Sequence, residues 1–172
     1  MKSKVFLALG SNKGERLKLI NQAIDELKKN RQIKITQYSS IYYTKPYGFT
    51  EQENFINMVI EIDTDFDFAK FHSITEEIEK KVGRTKTHRW GPREIDLDIL
   101  LFNDVVFSSD KITIPHKEIA NRDFFLVPLL ELNPYLIHPA TKILFSEYLN
   151  SLRENYILAK EIFKTKYEEN LS

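Results

Sequence analysis

Two aspartates, Asp96 and Asp98, stand two positions apart in an apolar segment, residues 95–102, whose pattern predicts a β-strand. Because side chains alternate along a strand, both carboxylates share one face, with Cα atoms about 6.5–7 Å apart. Such a pair repels unless it stays solvated or a cation lies between its members. Mg²⁺ prefers oxygen ligands and commonly takes one or two carboxylates together with substrate phosphates. The pair therefore indicates either a magnesium site or a solvated strand face.

A basic segment precedes this strand. Residues 80–93 hold six lysines or arginines and no acid: Lys80, Lys81, Arg84, Lys86, Arg89 and Arg93. Taken alone, the segment is equally typical of a solvated charge run. Beside a carboxylate pair it matches the needs of a magnesium nucleotide, because guanidinium groups bind the phosphate oxygens that the metal leaves exposed. Together the two features favour phosphoryl-transfer chemistry.

Further candidates are weaker when taken singly. Residues 10–14, GSNKG, lie between a predicted strand and a predicted helix, where phosphate-binding loops occur, but the segment lacks the P-loop Gly-Lys-Ser/Thr and also fits a simple turn. Phe55, Trp90 and Phe124 could stack on a planar ring or belong to the core. Asn57 shares the strand face of Phe55, and its amide could bind a donor–acceptor edge.

Composition excludes several classes. The chain has 172 residues, zero net charge and no cysteine, so a general polyanion binder, a disulfide scaffold and a thiolate zinc site are not indicated. No apolar run approaches the roughly 18 residues that a membrane span needs. We expect a soluble, cytoplasmic, monomeric protein that binds small molecules and neither nucleic acid nor membrane.

Hydrophobic periodicity predicts a β-α-β-β-α-β order, which is typical of an α+β, ferredoxin-like fold with a mostly antiparallel sheet. The predicted strands are residues 4–9, 33–43, 55–63 and 95–102, and the predicted helices are residues 15–29 and 67–82. Helical patches are expected near residues 117–132 and 145–168, the second forming a C-terminal helical extension over about residues 140–172. We expect a single catalytic domain, residues 1–172.

Residues 89–100, RWGPREIDLDIL, resemble the signature of the 6-hydroxymethyl-7,8-dihydropterin pyrophosphokinase family of folate biosynthesis. Other matching motifs follow in the order found in the family: Leu9-Gly10-Ser11-Asn12, Ser39-Ser40-x-Tyr42-x-Thr44-x-Pro46-x-Gly48, Phe55-x-Asn57, Glu79-x-x-x-Gly83-Arg84, Pro115-His116 and Asn121-Arg122-x-Phe124. The resemblance spans roughly residues 4–135, and residues 140–172 have no assigned role.

The resemblance implies transfer of the β,γ-pyrophosphoryl group of ATP to the hydroxymethyl oxygen of the pterin, with release of AMP. Asp96 and Asp98 would hold two Mg²⁺ ions, and Asp96 would also contact the pterin. Arg84 and Arg93 would join them as catalytic residues. The other implied contacts are with phosphate for Arg84, Lys86, Arg93, His116 and Arg122, with adenosine for Glu79, Ile99, Lys111 and Thr113, and with pterin for Thr44, Tyr47, Phe55, Asn57, Trp90 and Phe124. Lys45, Tyr47, Lys86 and Lys117 depart from the residues common in the family.

Two alternatives use the same features. An RNA-binding module of this topology would need aromatic RNP motifs on its central strands, which FINMVIEID and KVFLAL lack. A magnesium-dependent nuclease or nucleotidyltransferase could use the same aspartate pair, but it would have to hydrolyse or extend a nucleic acid.

Overall fold

The computed structural model describes residues 1–85, 88–89, 91–165 and 168. Its strands are β1 (Ser3–Ser11), β2 (Ile33–Tyr38), β3 (Ile41–Thr44), β4 (Phe55–Thr64), β5 (Asp96–Phe102), β6 (Phe107–Ser108), β7 (Thr113–Ile114) and β8 (Ile157–Glu161). Its helices are α1 (Arg16–Lys28), α2 (Phe68–Val82), α3 (Asp123–Leu132) and α4 (Phe145–Asn150). None of the helices in these residues has the length and apolar character of a membrane span.

One antiparallel sheet carries the fold. Its strands run in the order β5-β1-β4-β3-β8, and β2 pairs with the far end of β4. The short strands β6 and β7 form a separate hairpin. The predicted order of strands and helices up to residue 102 is confirmed except that one predicted strand, residues 33–43, forms two strands, β2 and β3. The aspartate-bearing strand β5 lies at one edge of the sheet, beside β1.

Alternation along β1 separates two hydrophobic cores. Val5, Leu7 and Leu9 pack in one cluster, with the buried faces of α1 and α2. Phe6 and Ala8 point to the opposite face and pack in a second cluster, with α3 and α4. Since successive strand residues face opposite sides, the sheet lies between the two helical layers. Residues of β5 that face α3 therefore lie on the same side as Ala8.

The end of α2 sets the position of the first basic residue of the site. The helix begins after Asp67, whose side chain accepts a hydrogen bond from the Lys70 amide at 2.8 Å. It ends at Gly83, whose φ of 110° lies in the left-handed region that glycine adopts without strain. The amide of Arg84 then donates to the Glu79 carbonyl at 3.0 Å, which turns the chain back toward β5.

The predicted strand 33–43 is divided in the structure. Between β2 and β3, Ser39 and Ser40 interrupt the regular strand pairing with β4 and form other hydrogen bonds. The Ser39 amide donates to the Val59 carbonyl at 2.9 Å, and the Ser40 amide donates to the Glu131 carboxylate at 2.9 Å. Glu131 also accepts from the hydroxyls of Ser40 and Tyr42, so it joins α3 to the start of β3. Burial and the bond to Glu131 raise the pKa of Tyr42.

The C-terminal extension differs from the helix expected over residues 145–168. Over residues 145–165, which the structure describes without a gap, helix is confined to α4 (Phe145–Asn150), and Ile157–Glu161 forms the edge strand β8 beside β3. The helical interpretation was therefore wrong for Ile157–Glu161. Pairing with β3, and acceptance of the Tyr156 and Ile157 amides by the Asp123 carboxylate, override the local helix propensity.

Candidate active site

Asp96 and Asp98 lie at the floor of a cavity of about 340 Å³. In the ladder Asp96 faces Gly10 of β1 and Asp98 faces Ala8, and these small residues leave open the space above the carboxylates. Leu97, between them, is buried on the other face in the core with α1 and α2. The predicted alternation is thus present, and the pair lines a concave site rather than a flat solvated face.

The two carboxylates differ in their partners. Asp96 Oδ1 lies 3.2 Å from Arg84 Nη2 and 3.1 Å from Arg93 Nη1. Asp98 has no salt-bridge partner among the residues that the structure describes. Burial raises the pKa of both carboxyls, and the charge of Asp98 raises the pKa of Asp96 further, while the arginines oppose that rise. A cation between the carboxylates would remove this repulsion.

Glu79 lies outside the cavity and binds two residues next to the aspartates, Leu97 and Arg84. One carboxylate oxygen accepts a hydrogen bond from the Leu97 amide at 2.8 Å, and the other pairs with Arg84. Burial raises the pKa of Glu79 to about 7, although the Leu97 amide and Arg84 oppose the rise. Glu79 thus ties the end of α2 to β5 and orients Arg84 toward Asp96, without lining the cavity itself.

Basic side chains surround the carboxylates. Six of them line the same cavity: Lys45, Arg84, Arg89, Arg93, Lys117 and Arg122. Their combined charge exceeds that of Asp96 and Asp98, so the cavity suits a ligand that carries several negative charges. Guanidinium groups also match phosphate oxygens in geometry, which a collection of lysines alone would not.

His116 adds a neutral hydrogen-bond donor to this wall. Its amide donates to the Leu100 carbonyl at 2.9 Å, and its Nδ1 accepts from the Glu118 amide at 3.1 Å. Burial, helped by the charge of Arg122, lowers the pKa of His116 to about 4. At neutral pH the proton of the imidazole therefore sits on Nε2, which can donate to an anionic ligand.

The other end of the cavity is an aromatic slot with a polar edge. Phe55, Phe124 and Tyr47 line it, and the rings of Tyr47 and Phe124 meet edge to face with centroids 6.5 Å apart. Asn57 and Thr44 supply the edge, and the Asn57 amide nitrogen donates to Thr44 Oγ1 at 2.8 Å. Such a slot fits a flat ring system with hydrogen-bonding groups on its rim.

A second cavity of about 230 Å³ adjoins the first and shares Asp98, His116 and Lys117 with it. Ile99, Lys111 and Thr113 line this second space. Asp98 therefore lies at the boundary between the two cavities, and a ligand in the second cavity can contact its side chain.

The structure brings most predicted site residues together. The main cavity contains Thr44, Tyr47, Phe55, Asn57, Arg84, Arg93, Asp96, Asp98, His116, Arg122 and Phe124, and the adjoining one contains Ile99, Lys111 and Thr113. Lys86 and Trp90 lie outside the described residues. Sequence reasoning missed the cavity-lining Phe125, which no motif marks, and the supporting role of Asn12, for which the Gly-Ser-Asn turn was the available signal.

The chain resembles known proteins over most of its length. The family model for 7,8-dihydro-6-hydroxymethylpterin-pyrophosphokinase (HPPK) matches residues 6–134. The chain belongs to this family. It is 42% identical over 135 residues to the 2-amino-4-hydroxy-6-hydroxymethyldihydropteridine pyrophosphokinase of Aquifex aeolicus, a match that covers 78% of this chain and 83% of that protein. The Bacillus subtilis enzyme of the same name is 40% identical over 132 residues, covering 77% and 79% of the two chains.

Longer proteins contain a similar region. The folic acid synthesis protein fol1 of Schizosaccharomyces pombe is 37% identical over 96% of this chain but only 23% of its own length. A crystal structure of HPPK-DHPS in complex with substrates superposes with a TM-score of 0.68 at 15% identity, over 87% of this chain and 43% of that one. Another, HPPK-DHPS from Plasmodium falciparum, gives 0.67 at 16% identity, over 87% and 44%. The chain thus spans less than half the length of these solved structures.

Membership in the HPPK family confirms three predictions made from the sequence. The fold is the ferredoxin-like α+β class, with helices against a mostly antiparallel sheet. The chain is an ATP-dependent diphosphotransferase, that is, a pyrophosphokinase. Its reaction is a pyrophosphoryl transfer in folate biosynthesis with ATP as co-substrate.

Proposed function

We propose that Asp96 and Asp98 hold two Mg²⁺ ions while the β,γ-pyrophosphoryl group of ATP passes to the hydroxymethyl oxygen of 6-hydroxymethyl-7,8-dihydropterin. One observation carries the proposal: a half-buried carboxylate pair, a ring of basic side chains and an aromatic slot line a single cavity. The pair suits metal ions, the basic ring suits a polyphosphate, and the slot suits a pterin. In the transfer, the pterin hydroxyl oxygen forms a bond to the β-phosphorus. The bond between the β-phosphorus and the oxygen that bridges it to the α-phosphorus breaks, AMP leaves with that oxygen, and the hydroxyl proton passes to solvent.

The donor set fits magnesium completed by substrate. Among the described residues, no three histidine, cysteine, aspartate or glutamate side chains are placed to hold one metal ion together, so the ions would need phosphate oxygens and water as further ligands. This is the usual arrangement for Mg²⁺, which keeps few protein ligands. When bound, the ions would neutralise phosphate charge and make the β-phosphorus more electrophilic. The lack of a described salt-bridge partner for Asp98 supports the fit.

Arginines would stabilise the charge that develops during transfer. Arg84 and Arg93 already lie close to Asp96, and Arg122 and His116 line the same wall. Phosphoryl-type transfers pass through loose transition states, so positioning and charge neutralisation dominate over general-base catalysis. Lys86 stays a predicted phosphate contact outside the described residues.

The two cavities divide the substrates between them in this proposal. The pterin would stack on Phe55 and Phe124, with Asn57, Thr44 and the backbone at Tyr47 binding its polar edge, and Trp90 stays a predicted cover of the closed site. The adenosine would occupy the adjoining cavity near Ile99, Lys111 and Thr113. Glu79 would not contact the adenosine directly but would hold the Arg84 guanidinium in place. Asp96 would then meet the reacting end of the pterin.

Replacing the metal-binding carboxylates tests the proposal. We expect Asp98→Asn to lower pterin-dependent AMP formation at least a hundredfold, the order of magnitude typical for loss of a charge-stabilising group. The double variant Asp96→Ala/Asp98→Ala is expected to abolish it. Asp104→Asn is the matched control, because Asp104 is an exposed aspartate just after β5. Full activity in the double variant would show that the metal ions bind elsewhere.

A further inference from the structure

Tyr156 lies outside the family-matched region, which ends at residue 134, yet its ring packs on the aromatic slot. Its centroid is 5.3 Å from that of Tyr47, with an interplanar angle of 53°. It is 5.9 Å from that of Phe124, and those two rings are almost perpendicular at 87°. Tyr47 and Phe124 line the cavity whereas Tyr156 does not, so Tyr156 supports both rings from behind.

Tyr156 also holds the chain that leads into the slot. The Lys45 amide donates to the Tyr156 carbonyl at 3.0 Å, and the Lys45 ammonium lies 5.2 Å from the centre of the Tyr156 ring. Lys45 lines the cavity, and its neighbour Thr44 bonds to the amide of Asn57. The same tyrosine therefore restrains the polar edge of the slot as well as its aromatic wall.

A buried carboxylate fixes Tyr156 in turn. Asp123 is only 3% exposed, and its Oδ2 accepts hydrogen bonds from the amides of Tyr156 at 2.7 Å and Ile157 at 3.0 Å. Asp123 begins α3 and lies between the cavity-lining residues Arg122 and Phe124. Because a buried carboxylate is costly without hydrogen bonds, this attachment strongly favours one position for the chain at Tyr156.

We infer that Tyr156 is a positioning residue for the planar substrate, so that the C-terminal segment leading into β8 forms part of the substrate site. The inference rests on the proposed function, in which the slot binds the pterin. Without the Tyr156 ring, Tyr47 and Phe124 would gain rotamer freedom, and the slot would no longer be preorganised for a flat ligand. The nucleotide cavity beside β5 has no contact with Tyr156 in the described residues and would be unaffected.

The test compares Tyr156→Leu with the wild-type chain in two assays. The first is steady-state turnover with ATP and 6-hydroxymethyl-7,8-dihydropterin. The second is calorimetric binding of the oxidised 6-hydroxymethylpterin in the presence of Mg²⁺ and a non-hydrolysable ATP analogue. Each aromatic pair contributes roughly a two- to tenfold effect, so we expect the pterin KM and dissociation constant to rise about tenfold. The KM for ATP and kcat should stay within about twofold of wild type.

Three further variants separate positioning from folding. Tyr156→Phe should keep wild-type pterin affinity, since the Glu154 carboxylate at the surface is the one hydrogen-bond partner of the lost hydroxyl among the described residues. Tyr135→Leu removes a tyrosine that is 82% exposed in the same C-terminal part, and it should leave every constant unchanged. If Tyr156→Leu does not fold by circular dichroism, Tyr156→Met carries the test, because methionine keeps most of the side-chain volume without the ring.

The outcomes distinguish the inference from the function on which it rests. A tenfold loss of pterin affinity with an unchanged KM for ATP supports the role of Tyr156. If the wild-type chain is active, that role alone is overturned when the variant keeps its pterin affinity, or when its KM for ATP rises as much as its dissociation constant for the pterin. Failure of the wild-type chain to bind the pterin overturns the proposed function and this inference together.

Discussion

Asn12 and Arg93 are joined by two hydrogen bonds. The Asn12 amide donates to the Arg93 carbonyl at 3.0 Å, and the Arg93 amide donates to Asn12 Oδ1 at 2.8 Å. The side-chain nitrogen of Asn12 donates to Gln52 Oε1 at 2.9 Å and to the Glu53 carbonyl at 3.0 Å. Asn12 is buried, so one side chain connects the loop before β4 to the loop before β5. Both loops supply residues to the site.

Removing this connection should impair catalysis. We expect Asn12→Ala to lower kcat/KM at least tenfold and to reduce the free energy of unfolding by about 1–3 kcal/mol, because buried polar groups of both loops lose their partner. Steady-state kinetics and urea unfolding measure the two effects. Asn21→Ala is the control, since Asn21 lies on α1 and makes an exposed bond to the Leu17 carbonyl at 3.1 Å. Equal kinetics in the two variants would contradict the proposed coupling.

The absence of a side chain at Gly10 should be needed for pterin binding, because Asn57 lies directly beside it. A Cβ at position 10 would lie 2.7 Å from Asn57 Oδ1, too close for van der Waals contact. We therefore expect Gly10→Ala to displace the Asn57 amide and to raise the pterin KM roughly tenfold, the cost of about one lost hydrogen bond. A double-mutant cycle with Asn57→Ala checks the cause. If Gly10 acts through Asn57, the two effects are not additive, and strictly additive effects would refute the explanation.

Arg93 should act mainly in the chemical step. Its guanidinium lies 3.1 Å from Asp96 Oδ1 and lines the cavity, where negative charge would shift during transfer. We expect Arg93→Ala to lower kcat about 10²–10³-fold at saturating ATP, with a smaller change in the KM for ATP. Rapid-quench measurement of a single turnover isolates this step. Arg31→Ala, at an exposed arginine after α1, is the control and should leave kcat and the single-turnover rate unchanged. An unchanged single-turnover rate in Arg93→Ala would exclude the assigned role.

Metal binding should release protons at mildly acidic pH. Burial and the charge of Asp98 raise the pKa of Asp96 to about 6, so part of this carboxyl is protonated at pH 6 and ionised at pH 8. Mg²⁺ ligation requires the carboxylate, so binding of Mg²⁺ with the ATP analogue displaces that proton at pH 6. Calorimetry in buffers of different ionisation enthalpy measures the number of protons released. The same measurement on Asp96→Asn gives the protons released by the ATP analogue and by groups other than Asp96. Equal release by wild type and variant at pH 6 would contradict metal ligation by Asp96.

The sequence predicted the parts of the site that local patterns determine. The period-two pattern of β5 placed Asp96 and Asp98 on one face, and the apolar spacing of α2 placed its C-terminus beside the basic segment. These predictions held because hydrophobic periodicity depends only on neighbours along the chain. The concave shape around the pair also depends on the small residues Gly10 and Ala8 opposite it, and their pairing register is a long-range property.

The C-terminal part shows why the rest could not be predicted. Ile157–Glu161 has the composition of a helix but pairs with β3, and the Asp123 carboxylate that fixes its start is distant in sequence. The support of Tyr47 and Phe124 by Tyr156 likewise follows from tertiary packing. No spacing rule relates these residues, so only the folded structure shows that the segment beyond the family motifs reaches the site.

The most direct test of the central claim is the identity of the nucleotide product. The purified chain is incubated with ATP, Mg²⁺ and 6-hydroxymethyl-7,8-dihydropterin, and the nucleotides are separated by chromatography. Attack at the β-phosphorus predicts AMP in an amount equal to the pterin diphosphate formed, and no product without the pterin. Pterin-dependent ADP would mean attack at the γ-phosphorus and would contradict pyrophosphoryl transfer by this site.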